Sequence, residues 1–103
     1  MLNLDPTLGH EQAGTQPALV FSVDTFNDGP ADLVIVLPIT SRSKGVRSHV
    51  MVQPPEAGLS TVSYIKCEDI RSVTKSRSFK RMGTVSVQTL AEVEDKVRML
   101  LNL

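Results

Sequence analysis

The 103-residue chain holds 11 Lys and Arg against 11 Asp and Glu, with 41% hydrophobic and 21% charged residues, the balance of an ordinary globular domain that buries a core without metal or disulfide help. Its single cysteine excludes an internal disulfide. No apolar run approaches the roughly 18 residues of a membrane span, and the N-terminus lacks the basic-then-apolar layout of a signal peptide.

One domain over residues 1–103, cytoplasmic and off the membrane, is therefore expected. The zero net charge hides a segregation. Arg42, Lys44 and Arg47 share one acid-free stretch, and Arg71, Lys75, Arg77, Lys80 and Arg81 lie in another, so that eight of the eleven cations fall in two segments. A neutral protein built this way either solvates those cations on an open surface or turns a local basic face toward a polyanion.

In chain order, residues 4–16 are polar and turn-forming, with His10, Glu11, Gln12 and Gln16 crowded before an apolar run. Residues 17–23 (PALVFSV) read as a strand, with Pro17 at its first position, where a missing N–H is tolerated. Residues 24–32 are turn-rich, and residues 33–40 (LVIVLPIT) form a second apolar strand in which Pro38 marks an edge or a bulge. Residues 47–53 read as a third strand broken by PPEAG; residues 61–66 alternate and are rich in β-branched residues; residues 69–74 are extended after a short turn. Cys67 is expected to be a packed thiol.

Beyond a basic connection over 75–81 and a short extended piece near Thr84, the spacing predicts a helix over about 88–101. Leu90, Val93, Val97, Leu100 and Leu101 recur at 3-4 spacing and make one apolar stripe, best explained by packing on a sheet. Acids early and cations late match the helix dipole. Ser86 would cap it, or Thr89 would with Glu92 in a capping box. Five or six short strands with one C-terminal helix suggest a small, strongly curved sheet or partial barrel, and the missing βαβ alternation argues against a parallel doubly wound sheet.

Most site patterns are absent. There is no phosphate-binding Gly loop before a helix, no paired cysteines and no His-x-x-x-His, and two histidines cannot build a three-histidine metal site. What remains is the polar loop, the strand end Thr40–Ser41, His49 and the two basic segments. Each has a plain alternative: Thr40 and Ser41 as turn caps, His49 as a satisfied core or surface ring, Lys75 and Arg77 as solvated cations.

The order of the segments carries more. "DPTLGHEQAGTQPALVFS", "VIVLPITSRSKG", "SHVMV", "SYIKCEDIRSVTKSR" and "KRMGTVS" before a short helix closely resemble the MazF/PemK toxin family, over about residues 3–103. The resemblance implies a mainly β fold, a small, strongly curved SH3-like (CcdB-like) barrel with a C-terminal helix, assembled as a homodimer. It implies an endoribonuclease that cuts single-stranded mRNA without metal or cofactor, by attack of the ribose 2′-OH to leave a 2′,3′-cyclic phosphate. It also implies an antitoxin that covers the RNA groove, with operator DNA reached through that antitoxin. Carried over by position, Thr40 of the P-x-T element donates to the scissile phosphate, and Glu11 and Gln12 of the E-Q pair shape the site loop. Ser41, Lys44, His49, Lys75 and Arg77 fall in elements that line the family's RNA groove.

Three departures stand out. The family's arginine before the motif proline is Gln16 here, which keeps amide donors but supplies neither charge nor a guanidinium fork. Asn3 stands where the family often has an acid. Members usually begin with a further strand, of which only Met1 to Leu4 would remain, so a shortened first strand is expected. Besides an impaired ribonuclease, Gln16 motivates a second reading, an inactive RNA- or antitoxin-binding member acting in operon repression. A gyrase poison, on the fold shared with CcdB toxins, finds no support in a helix explained by core packing.

Overall fold

The computed structural model describes residues 6–9, 16–74, 80–81 and 83–103. Its organising element is β3 (Leu33–Thr40), eight residues in which Val34, Val36, Leu37, Pro38 and Ile39 are buried. Such a run suits a strand covered on both faces. On one edge β3 pairs antiparallel with β2 (Gln16–Val20), Ala18 opposite Pro38 and Val20 opposite Val36. On the other edge it changes partner. Leu33–Val36 pair with β6 (Arg71–Thr74), and Ile39–Thr40 pair with β5 (Ser63–Lys66).

Pro38 falls past the last β6 pair and before the first β5 pair, where a residue without an N–H costs least. It marks an interruption in a central strand; the expected edge position is incorrect, because β3 is paired on both sides.

The rest follows in order β4-β5-β3-β2-β1-β7, with β1 spanning Pro6–Gly9, β4 His49–Val52 and β7 Lys80–Arg81. β1 and β2 form a hairpin in which Gly9 faces Gln16, so the polar N-terminal segment contributes a strand that its composition did not suggest. The path ends on β4 and β7, and no pairing among the described residues joins those ends into a closed barrel. Met1 to Leu4, including Asn3, lie outside the described residues.

Two apolar layers hold the sheet. On one face Leu19, Leu37, Ile39, Val50, Val52, Ile65 and Cys67 pack against Val93 and Val97 of α2 (Val87–Leu101). On the other, Ala18, Val20, Val34 and Val36 meet Val73. The turn-rich segment after β2 contains a single helical turn, α1 (Asp24–Asn27), tied to β3 through Ser22, whose hydroxyl accepts from the Ile35 N–H at 2.9 Å and donates to Asn27 Oδ1.

Helix α2 is capped by Ser86, whose Oγ accepts from the Thr89 N–H at 3.1 Å. Glu56, from a 3₁₀ turn after β4, accepts from the Ser86 N–H at 2.9 Å. Burial pushes the Glu56 carboxyl up, but the Ser86 N–H and the Thr89 and Ser86 hydroxyls outweigh it and hold it below its ordinary 4.5. Gly83 makes the approach possible, since a Cβ there would lie 2.7 Å from the Ala57 carbonyl carbon. The stripe is shorter than its spacing suggests. Val93 and Val97 are buried and Leu90 packs against the core, but Leu100 and Leu101 are 44% and 51% exposed.

Candidate active site

The outer face of β5 and its neighbours assembles the site. Inward Ser63 and Ile65 alternate with outward Tyr64 and Lys66, and on β4 inward Val50 and Val52 alternate with outward His49 and Met51. Register then sets the rows: Thr40 opposite Tyr64, Tyr64 opposite Met51, and Lys66 opposite His49. Directly opposed residues share a face and stand within side-chain reach.

Thr40 ends β3, and its Oγ1 accepts from the Arg42 N–H at 3.2 Å. That bond turns the chain into the exposed loop Ser41–Arg47 and leaves the hydroxyl hydrogen available to donate. The expected turn-capping role and an outward donor are thus compatible in one side chain.

Between Thr40, the loop and the β4–β5 rows lies a pocket of about 250 Å³ lined by Thr40, Arg42, Lys44, Val46, His49, Lys66 and Glu68. No ion pair with Arg42 or Lys44 is found among the described residues, whereas Lys66 Nζ lies 3.5 Å from Asp69 Oδ2. Glu68 is the one carboxylate among the residues lining the pocket. Glu68, in the 3₁₀ turn Cys67–Asp69, accepts from Ser48 Oγ at 2.6 Å and meets His49 Nε2 at 2.9 Å. Burial pushes its carboxyl up, but bonds from Ser48, its own backbone N–H and His49 prevail and lower it below 4.5.

The His49 side chain is only 6% exposed, and its Nδ1 finds no partner among the described residues. The ring is fixed by Glu68 on one side and packed on the other. A second pocket of about 340 Å³ also reaches Thr40 but is uncharged, lined by the hydroxyls of Ser41, Ser60, Thr61 and Ser63 with Pro17, Ile39 and Leu59.

Of the residues singled out in the sequence, Thr40, Lys44 and His49 therefore meet in one pocket, and Ser41 borders its uncharged neighbour. Gln16 opens β2. Continued two residues beyond the Ala18–Pro38 pair, the β2–β3 register sets its backbone beside Thr40. Glu11, Gln12, Lys75 and Arg77 lie outside the described residues, as does His10.

Arg42, Lys66 and Glu68 were not singled out as site residues. The alternation of 61–66 shows that Lys66 faces outward, but that its row contains His49 depends on a β4–β5 register absent from either segment alone. Cys67 is fully buried and its thiol is pushed up to about 11, by burial first and by Glu68 second, with Lys96 opposing. Among the described residues no group of three His, Cys, Asp or Glu could hold a metal ion, and no helix is long and apolar enough to cross a membrane.

Residues 1–101 match the family model described as PemK-like, MazF-like toxin of type II toxin-antitoxin system. The chain is 32% identical over 103 residues to Endoribonuclease PemK of Escherichia coli, covering 98% of this chain and 77% of that protein. It is 30% identical over 107 residues to Endoribonuclease MazF9 of Mycobacterium tuberculosis, covering 99% and 91%. Among solved structures, the MazE-MazF crystal structure (Form-II) from Deinococcus radiodurans superposes with a TM-score of 0.85 at 29% identity, covering 100% of this chain and 96% of that one.

Proposed function

Because the chain belongs to the PemK-like, MazF-like toxins of type II toxin-antitoxin systems, we propose that it is a metal-independent, sequence-specific endoribonuclease acting in the cytoplasm on single-stranded mRNA, with the charged pocket at Thr40 as its reaction site. The observation that carries this reading is the Thr40 hydroxyl, its hydrogen free to donate, at the rim of a pocket that gathers Arg42, Lys44 and Lys66. Relatives named endoribonucleases support the activity.

The chemistry is an internal transfer. The ribose 2′-oxygen bonds to the adjacent phosphorus, its proton passes to a base, the P–O5′ bond breaks, and the departing oxygen takes a proton. The products are a 2′,3′-cyclic phosphate and a 5′-OH. Thr40 and the cations stabilise the charge that builds on the phosphate oxygens. Glu68 is the pocket's carboxylate and its proton acceptor, with His49 holding its orientation. The SH3-like, strongly curved course belongs to the same reading, as do the roles of Glu11 and Gln12 in the site loop and of Ser41, Lys75 and Arg77 along the groove.

Gln16 limits the rate. It opens β2, the strand antiparallel to β3, which ends at Thr40, and the family's arginine at this position would add a cation to the phosphate. Restoring that charge by Gln16→Arg should raise cleavage on the order of a hundredfold, and Thr40→Ala should abolish it, both in excess chelator on a long single-stranded RNA with the fragment ends mapped. Cleavage that survives Thr40→Ala, or that needs added metal, refutes the mechanism.

The second reading, an inactive member that binds RNA or antitoxin and acts through operator DNA, rests on the same Gln16. It prevails if both forms bind RNA and neither cuts. The MazE-MazF complex at TM-score 0.85 supports an antitoxin as protein partner. The apolar end of α2, with Met99, Leu101 and Leu103 exposed, supports a homodimer that covers it.

A further inference from the structure

Row register and exposure single out a surface that begins at Thr40 and continues beyond the residues given to the phosphate chemistry. Tyr64 lies between Thr40 on β3 and Met51 on the edge strand β4, all on the outward face. Met51 is 51% exposed, Val62, just before β5, is 41% exposed, and Tyr64 is half-buried. The register thus puts an aromatic ring and a thioether on neighbouring strands of one face, two flat or polarizable apolar groups side by side. From Thr40 to Met51 the surface spans two strand spacings, about 9.6 Å. The cations at its border lie on one side only, in the pocket that Thr40 shares.

We propose that Tyr64, supported by Met51, is a stacking platform for one unpaired base of the RNA strand, next to the nucleotide whose phosphate meets Thr40. This inference rests on the ribonucleotide reading of that pocket. Charge argues for a nucleotide as the occupant. Arg42 and Lys44 have no carboxylate partner among the described residues, so an anionic backbone would satisfy them while its base covers the apolar row. Every base has a π face, so the platform confers grip and register, and leaves base identity to the hydroxyl-lined pocket on the other side of Thr40. Tyr64 is thereby a positioning residue.

The sequence supplies its own probe. The chain has one tyrosine and no tryptophan, so its ultraviolet emission reports Tyr64 alone. The experiment titrates the full chain with a fluorescein-labelled single-stranded RNA of about ten nucleotides, at low salt, reading anisotropy and, with unlabelled RNA, tyrosine emission corrected against N-acetyl-tyrosinamide. Emission is expected to fall in step with anisotropy. Tyr64→Phe should bind within about twofold of wild type, and Tyr64→Ala about tenfold or more weakly, with circular dichroism melting as the check that it folds.

RNA binding with unchanged tyrosine emission, or equal affinity in a folded Tyr64→Ala, overturns the platform and leaves the ribonuclease reading standing. No binding or cleavage by either this chain or Gln16→Arg removes both. Emission that follows protein concentration without RNA, or responds only to an antitoxin, assigns the face to self-association or to that partner and overturns the proposal.

Discussion

Replacing Lys44 by alanine removes one exposed cation from the pocket without touching the core or a described ion pair. If that cation sits on an RNA phosphate, each such contact contributes about 0.7 to the slope of log affinity against log salt for a single strand. Losing it should flatten the slope by about 0.7, so that between about 50 and 200 mM salt wild-type affinity falls some 2.6-fold further than the variant's. Lys66 provides the internal contrast. Asp69, 3.5 Å away, already neutralises part of its charge, so Lys66→Ala should weaken binding yet change the slope less. Anisotropy titrations at four or five salt concentrations measure both. A slope unmoved by Lys44→Ala, or moved more by Lys66→Ala, would refute the assignment of the pocket to a phosphate.

Other outcomes follow from the packing. Ser86→Ala removes the cap of α2 and should cost about 1 kcal/mol in urea unfolding. Gly83→Ala forces a Cβ to 2.7 Å from the Ala57 backbone and should cost more than that cap, on the order of 1–3 kcal/mol, because backbone cannot yield as a side chain can. Glu56 and Glu68 both titrate below their unfolded values, so their stabilisation is complete above about pH 4.5 and is lost as acid protonates the folded state. Glu56→Gln should accordingly flatten the acid limb of a melting-temperature profile, and an unchanged limb would count against the helix clamp. With its thiol raised to about 11, Cys67 should resist thiol reagents at neutral pH until urea unfolds the chain, then react at once.

The legibility of the fold varied with the kind of information each element needed. β3 could be bounded at 33–40 because a continuous apolar run ends in polar residues, and α2 because its period is local. β1 was hidden: PTLG has little strand character, and it is a strand only because Leu8 and its neighbours pair with β2. Leu100 and Leu101 continue the helical period yet are exposed, so the periodicity does not record where burial stops. Thr40, Lys44 and His49 were legible as candidates through the resemblance. Lys66 and Glu68 were not, since Glu68 reaches Ser48 and His49 across about twenty residues of chain, a relation that only the folded register creates.

The split pairing of β3 bears on motion. A strand held by β2 along one edge, and by β6 then β5 along the other, cannot open locally without dismantling most of the sheet. Its amides should exchange with deuterium only through global unfolding. The loop Ser41–Arg47, exposed throughout, should exchange within the folded state. Thr40 thus ends a strand paired along both edges, whereas Arg42 and Lys44 sit on exposed loop backbone. On the proposed reading, substitutions in the loop can change how an anionic strand is held while the Thr40 hydroxyl stays where β3 puts it.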